Sequence, residues 1–93
     1  MVSVDCGAVV DGWHGDAAFT VAVGEASADD ERLIEVGRRS LDAGIAQVRP
    51  GATLGDVGHA IEQVVRDAGF ALLEDHCGHG IGRAMHEAPD VLI

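Results

Sequence analysis

The chain opens on alternation. In "VSVDCGAVV", residues 2–10, Val2, Val4, Cys6, Ala8 and Val10 fall on one side and Ser3, Asp5, Gly7 and Val9 on the other, the period of a strand. Asp11-Gly12 follows, a strong signal for a two-residue hairpin turn, and a second strand is predicted over about 16–23, closed by Gly24. The period then lengthens. "SADDERLIEVGRRSLDAGIAQV" carries Leu33, Gly37, Leu41, Gly44, Ile45 and Val48 at helical spacing, with Ser27 and Asp30 as a capping pair and acids crowding its first turn. Gly37 and Gly44 each cost about 1 kcal/mol of helix propensity relative to Ala, so their expected use is close approach to a neighbouring element.

Arg49-Pro50-Gly51 stops this helix, and a second is predicted from 54 to 68. Thr53 and Asp56 make its capping box, and Leu54, Val57, Ile61, Val64, Val65 and Ala68 its apolar face. Gly69 stands where a helix C′ glycine belongs. "FALLE", residues 70–74, is expected as a short third strand. A run rich in histidine and glycine follows, Pro89 is expected to mark a turn, and "VLI" opens a fourth strand. No repeat and no low-complexity segment interrupts this order. The fold class is α+β: an antiparallel β-hairpin, two helices, then further strands of a mixed or antiparallel sheet.

Bulk properties narrow the chemistry. Ninety-three residues hold one domain. Sixteen acids against six bases leave a formal charge of −10. Phosphate binding needs clustered Lys and Arg, so neither nucleic acid nor an anionic membrane surface is an expected partner. No apolar run approaches the roughly 18 residues of a membrane span, and Met1 leads directly into the strand pattern rather than into a basic leader. A cytoplasmic setting is expected. Cys6 and Cys77 form no CxxC pair and are expected as small buried residues in a reducing compartment. The sequence begins and ends inside strand-like segments, the expectation for part of a domain rather than a whole one.

Asp5 is an acid inside an apolar strand, costly to bury unless it is paired or holds a metal. With Asp11-Gly12 as the two central turn residues, Gly7 faces Asp16 and Asp5 faces Ala18. The two acids then share a face as diagonal neighbours, with Cβ atoms roughly 7 Å apart. Carboxylates at that spacing can hold a pair of divalent cations about 3.5–4 Å apart, and Gly7 is expected to leave room for them. A shift of one residue would send the acids to opposite faces; the alternative in either register is that Asp16 is a turn acid and Asp5 an edge-strand acid in water. "DHCGHGIGRAMHEAP", residues 75–89, supplies imidazoles on a glycine-rich backbone. His79 is the candidate nitrogen ligand, although a lone His among glycines is more often structural. His59 reads as helix surface, His14 and His76 flank the site, and Glu74, Asp75 and Glu87 read as solvated carboxylates. Cys77 beside His76 and His79 has no oxyanion-hole signature around it.

"VDCGAVVDGWHGDAAFTVAVG" and "CGHGIGRAMHEAPDVL" resemble the two central motifs of the type I methionine aminopeptidases, metallopeptidases of the pita-bread (creatinase/aminopeptidase) fold. The resemblance spans the chain. It implies a partial pita-bread fold, with residues 1–93 a single partial metallopeptidase catalytic domain comprising the first half and the start of the second. It implies a cofactor of two divalent metal ions (Co, Mn, Fe or Zn), with Asp5 chelating one, Asp16 bridging both and His79 as the nitrogen ligand. His86 is the implied catalytic residue, contacting substrate and stabilising the tetrahedral intermediate, and Met85 the implied apolar wall of the methionine pocket. The implied reaction removes the N-terminal methionine from nascent proteins with a small second residue. Two further glutamate ligands of the pattern have no counterpart here, so the 93 residues are expected to be an inactive fragment. Family members are mostly monomeric; this piece is expected to self-associate through uncovered apolar surface. The alternative is a non-catalytic half-domain that binds a metal or a partner chain.

Overall fold

At the first turn, Asp11 has φ 52° and Gly12 φ 79°. Two successive positive φ values define the tight hairpin turn whose twist matches its strands. The turn joins β1 (Val2–Val10) to β2 (Trp13–Val21) as an antiparallel pair, and it fixes the register at Val10↔Trp13, Gly7↔Asp16 and Asp5↔Ala18. The second strand thus begins three residues earlier than the apolar pattern suggests, because pairing continues up to the turn itself. The computed structural model describes residues 1–73 and 76–93.

Two helices follow. The first, α1 (Ala28–Ala46), starts at Ser27, whose hydroxyl accepts from the Asp30 amide at 3.1 Å. The second, α2 (Leu54–Asp67), starts with the predicted capping box. Asp56 N–H donates to Thr53 Oγ1 at 3.2 Å, and Thr53 N–H donates to Asp56 Oδ2 at 2.7 Å. The backbone and hydroxyl donors of Thr53 hold the Asp56 carboxyl below the ordinary carboxylate range. Gly69, at φ 81°, closes the helix, with its own amide donating to Arg66 O and that of Phe70 to Val65 O.

The helices pack antiparallel: Gly44, late in α1, meets Ile61 and Val57, whereas Arg32, early in α1, donates to the Ala68 carbonyl at the end of α2. The buried line of α1 is Val36, Ser40 and Gly44, and Gly44 meets Ile61 and Val57 of α2. This corrects the expected stripe. Leu41, Ile45 and Val48 are 56%, 60% and 74% exposed. The physical reason is approach distance. A Cβ at Gly44 would stand 2.8 Å from Ile61 Cδ1, so the small-residue face is the one that admits a neighbour. Gly37 plays no such part; nothing lies within 4 Å of a Cβ built there.

The rest of the chain makes one short ladder, β3 (Gly78–Gly80) against β4 (Glu87–Val91), antiparallel with an irregularity between His79 and Gly80. The expected strand at 70–74 is not found in 70–73, and Glu74 and Asp75, read as solvated carboxylates, lie outside the described residues. Pro89 does not mark a turn. It sits within β4, after a cis peptide bond from Ala88, where the partner strand slips from His79↔Asp90 to Gly80↔Glu87. An irregular two-stranded ladder tolerates a residue that donates no hydrogen bond. Both cysteines are exposed rather than buried.

Candidate metal centre

The hairpin carries the acids. Residues directly opposite each other, or two apart along a strand, share a face. The observed register therefore sets Asp5, Gly7 and Asp16 on one side, the arrangement the Asp-Gly turn predicts. The imidazole comes from β3: His79 Nε2 stands 3.4 Å from Asp16 Oδ2, the two side chains being 24% and 30% exposed. They are shielded enough to strengthen their electrostatics and open enough for a ligand to enter.

The other ring nitrogen decides the chemistry of this pair. His79 Nδ1 lies 2.9 Å from the carbonyl oxygen of Gly80. A carbonyl only accepts, so Nδ1 carries the proton, and in the neutral ring Nε2 presents its lone pair to Asp16. A lone pair and a carboxylate oxygen repel unless a proton or a cation stands between them. Two ligands about 2.1 Å from a tetrahedral cation lie roughly 3.4 Å apart, which is the separation found here. The pair fits one divalent ion. Among the described residues, no group of three or more His, Cys, Asp or Glu side chains is placed to hold an ion together. Asp5 shares the face with Asp16 without completing such a set.

His86 lies against His79, with ring centroids 4.3 Å apart and planes tilted by 53°. Beside the two rings opens a cleft of about 540 Å³, which His76, Cys77 and Asp90 also line. Asp90 pairs with His79 across the β3–β4 ladder. Sequence reasoning passed over it because a slip in that ladder sets the pairing. Met85 occupies an unexpected place: a Cβ on Gly7 would run into its terminal methyl. The space over Gly7, expected to make room for ions, is taken by a thioether. Met85 thereby joins the acid face of the hairpin.

What brings Met85 and His86 there is a set of contacts between the hairpin tip and residues 82–84. His14 donates its amide to Gly82 O at 2.8 Å, and its Nδ1 lies 3.2 Å from the same oxygen. The Arg83 guanidinium lies 4.0 Å from the centroid of Trp13 and donates to Asp11 O at 3.0 Å. Glu87, read as a spare carboxylate, accepts the Ala84 amide at 2.7 Å. His59 is on the helix surface, as expected.

Residues 1–93 match the metallopeptidase family M24, and the chain belongs to that family. It is 53% identical over 95 residues to methionine aminopeptidase 1 of Mycobacterium tuberculosis, covering 96% of this chain and 36% of that protein. Its structure is similar to that of the methionine aminopeptidase of Thermotoga maritima, with 44% identity and a TM-score of 0.93 over 97% of this chain and 36% of the other. Prolidase from Pyrococcus furiosus, at 22% identity and a TM-score of 0.88 over 97% of this chain and 27% of its own, shares the fold, the pita-bread architecture. The chain spans about a third of the length of the methionine aminopeptidases it matches. Among the described residues, no helix is long and apolar enough to cross a membrane.

Proposed function

We propose that this chain carries part of the metal centre and part of the substrate wall of an aminopeptidase that removes N-terminal methionine ahead of a small second residue. The single observation that carries this reading is the 3.4 Å approach of His79 Nε2 to Asp16 Oδ2, on a hairpin face that also bears Asp5. Asp16 and His79 would hold a divalent ion, Asp5 would contribute from its neighbouring position, and a second ion would share Asp16. Such an ion supplies polarisation of the scissile carbonyl and a water more acidic than bulk water.

The chain's own groups do the rest. The Gly80 carbonyl orients the His79 ring by accepting from Nδ1, so Nε2 faces the carboxylate. His86, one ring away at the mouth of the cleft, donates a ring N–H to the substrate carbonyl oxygen as negative charge develops there. Met85 offers an apolar, polarisable contact to the substrate's methionine side chain. The setting is the cytoplasm, where nascent chains are the substrate.

Calorimetry with Mn²⁺ or Co²⁺ tests the centre. The parent chain should bind, and Asp16→Ala should weaken binding by more than about tenfold, the lower range for loss of even an outer partner of a metal ligand. Equal heats from both proteins would leave Asp16 and His79 as an ordinary ion pair between a carboxylate and a protonated imidazole. Release of methionine from a Met-Ala-Ser peptide should be near zero with these 93 residues and metal alone. The second reading is a non-catalytic metal- or partner-binding module. It is favoured by the finding that two donors, rather than three, meet among the described residues. Rapid turnover would dismiss it.

A further inference from the structure

We propose that Arg83 and Trp13 form a clasp that positions Met85 and His86 over the acid face, making both of them positioning residues for binding of the methionine side chain. The proposal rests on the aminopeptidase reading of the site. The 82–86 segment belongs to neither strand of the β3–β4 ladder, so no sheet pairing orients it. Two of its bonds are local and set its curvature, from the Gly82 amide to Ala84 O at 3.1 Å and from the Ala84 amide to Glu87. At its start the Gly82 carbonyl accepts the His14 amide at 2.8 Å, which ties Gly82 to β2.

Beyond Gly82, Arg83 ties the segment to the hairpin turn. Arg83 reaches across to donate to Asp11 O, and its planar group lies over the Trp13 ring at 4.0 Å, a cation–π distance. Gly12 leaves room for this position of the guanidinium, since a Cβ there would be 2.6 Å from Arg83 Nη1 and would make it shift. Two residues further along, Met85 reaches Gly7 on the face that bears Asp5 and Asp16. Next to it, His86 rests on His79. One end of the segment is thus anchored at the turn and the other meets the site. Trp13 is 55% exposed, which argues against a packing role for its ring other than the one Arg83 gives it.

The test uses the 93-residue chain labelled at its methionine methyls, of which there are two. The parent should show a nuclear Overhauser contact between the Met85 methyl and the Gly7 α-protons. Arg83→Met and Trp13→Ala should each lose it, and Trp13→Phe, which keeps a ring face, should retain it. In titrations with Co²⁺ present, free L-methionine should bind Arg83→Met and Trp13→Ala roughly two- to fivefold more weakly than the parent, the scale of one exposed cation–π contact. Trp13→Phe should stay close to the parent, and Co²⁺ affinity should be the same in all four proteins. A variant that merely unfolds would lose metal and methionine together, and that result overturns the positioning role. So does methionine binding that is absent in the parent or unchanged in Arg83→Met. If the parent binds no Co²⁺, the aminopeptidase reading fails by itself, and the methyl contact still decides whether the clasp exists.

Discussion

A glycine's worth at this site depends on what its missing Cβ would strike. At Gly58 a Cβ would land on the backbone carbonyl of Leu92, which cannot move aside without displacing the end of the chain. At Gly7 the obstacle is the terminal methyl of Met85, the free end of a flexible side chain. The same Gly→Ala change should therefore differ between the two positions. Gly58→Ala should destabilise by about 1–3 kcal/mol through overpacking, read as a melting temperature lower by roughly 4–24 °C for a domain of this size. Gly7→Ala should cost less than about 1.5 kcal/mol while shifting the Met85 methyl resonance. Equal melting temperatures for the two variants would contradict this account. The His79–Asp16 contact obeys residue-scale logic as well: the Gly80 carbonyl accepts from Nδ1 of His79, which leaves Nε2 facing the carboxylate at 3.4 Å.

Among the elements, α2 is the best specified. Its capping box satisfies backbone donors at both Thr53 and Asp56, and Gly69 closes the other end. Thr53→Ala should cost about 1 kcal/mol, measurable by chemical denaturation. The Asp56 carboxyl is held below its ordinary range, first by the Thr53 amide and then by the Thr53 hydroxyl. A depressed folded-state value means that the unfolded chain takes up the proton first as pH falls. The contribution is whole above about pH 4, the unfolded carboxylate value, and fades below it as pH drops through the folded value. Amide exchange in the first turn of α2 should quicken at low pH in the parent, and the pH dependence should flatten in Asp56→Asn. A parent helix whose exchange protection is the same at pH 3 and pH 6, after correction for intrinsic rates, would refute the linkage. The ion pairs Glu35–Arg38–Asp42 on α1 are exposed, and their removal should leave the melting temperature nearly unchanged.

On the scale of the whole molecule, the accessible surface is 6857 Å². A folded monomer of this mass is expected near 5,100 Å² by the usual scaling of surface with size. Apolar side chains contribute to it: Trp13, Phe19 and Val10 on the hairpin, Leu41 and Ile45 on α1, and Val48 beyond its end all stand more than half exposed. Such area is larger than a soluble monomer commonly shows to water. The chain should associate with itself as concentration rises. Sedimentation across a hundredfold concentration range should show a rising average mass, and an unchanging monomer would show that this surface is tolerated. Among the described residues the buried apolar side chains of the core are Val36 and Val65, so stability should be modest.

The amino-acid sequence by itself determined what a few neighbouring residues can settle. Asp11-Gly12 sets two positive φ values, and with them the register that puts Asp5 and Asp16 on one face. The Thr53–Asp56 box and Gly69 bound α2 within a residue. These features were legible because turn and cap chemistry acts within about four residues. Tertiary structure alone decided which side of α1 is buried, where β3 and β4 pair, and that Met85 fills the space over Gly7. The reason is competition. With apolar residues on two faces of α1, periodicity admits two answers, and the approach of α2 to Gly44 selects between them. In the histidine run, glycines permit many paths, and contacts from the distant hairpin tip choose one.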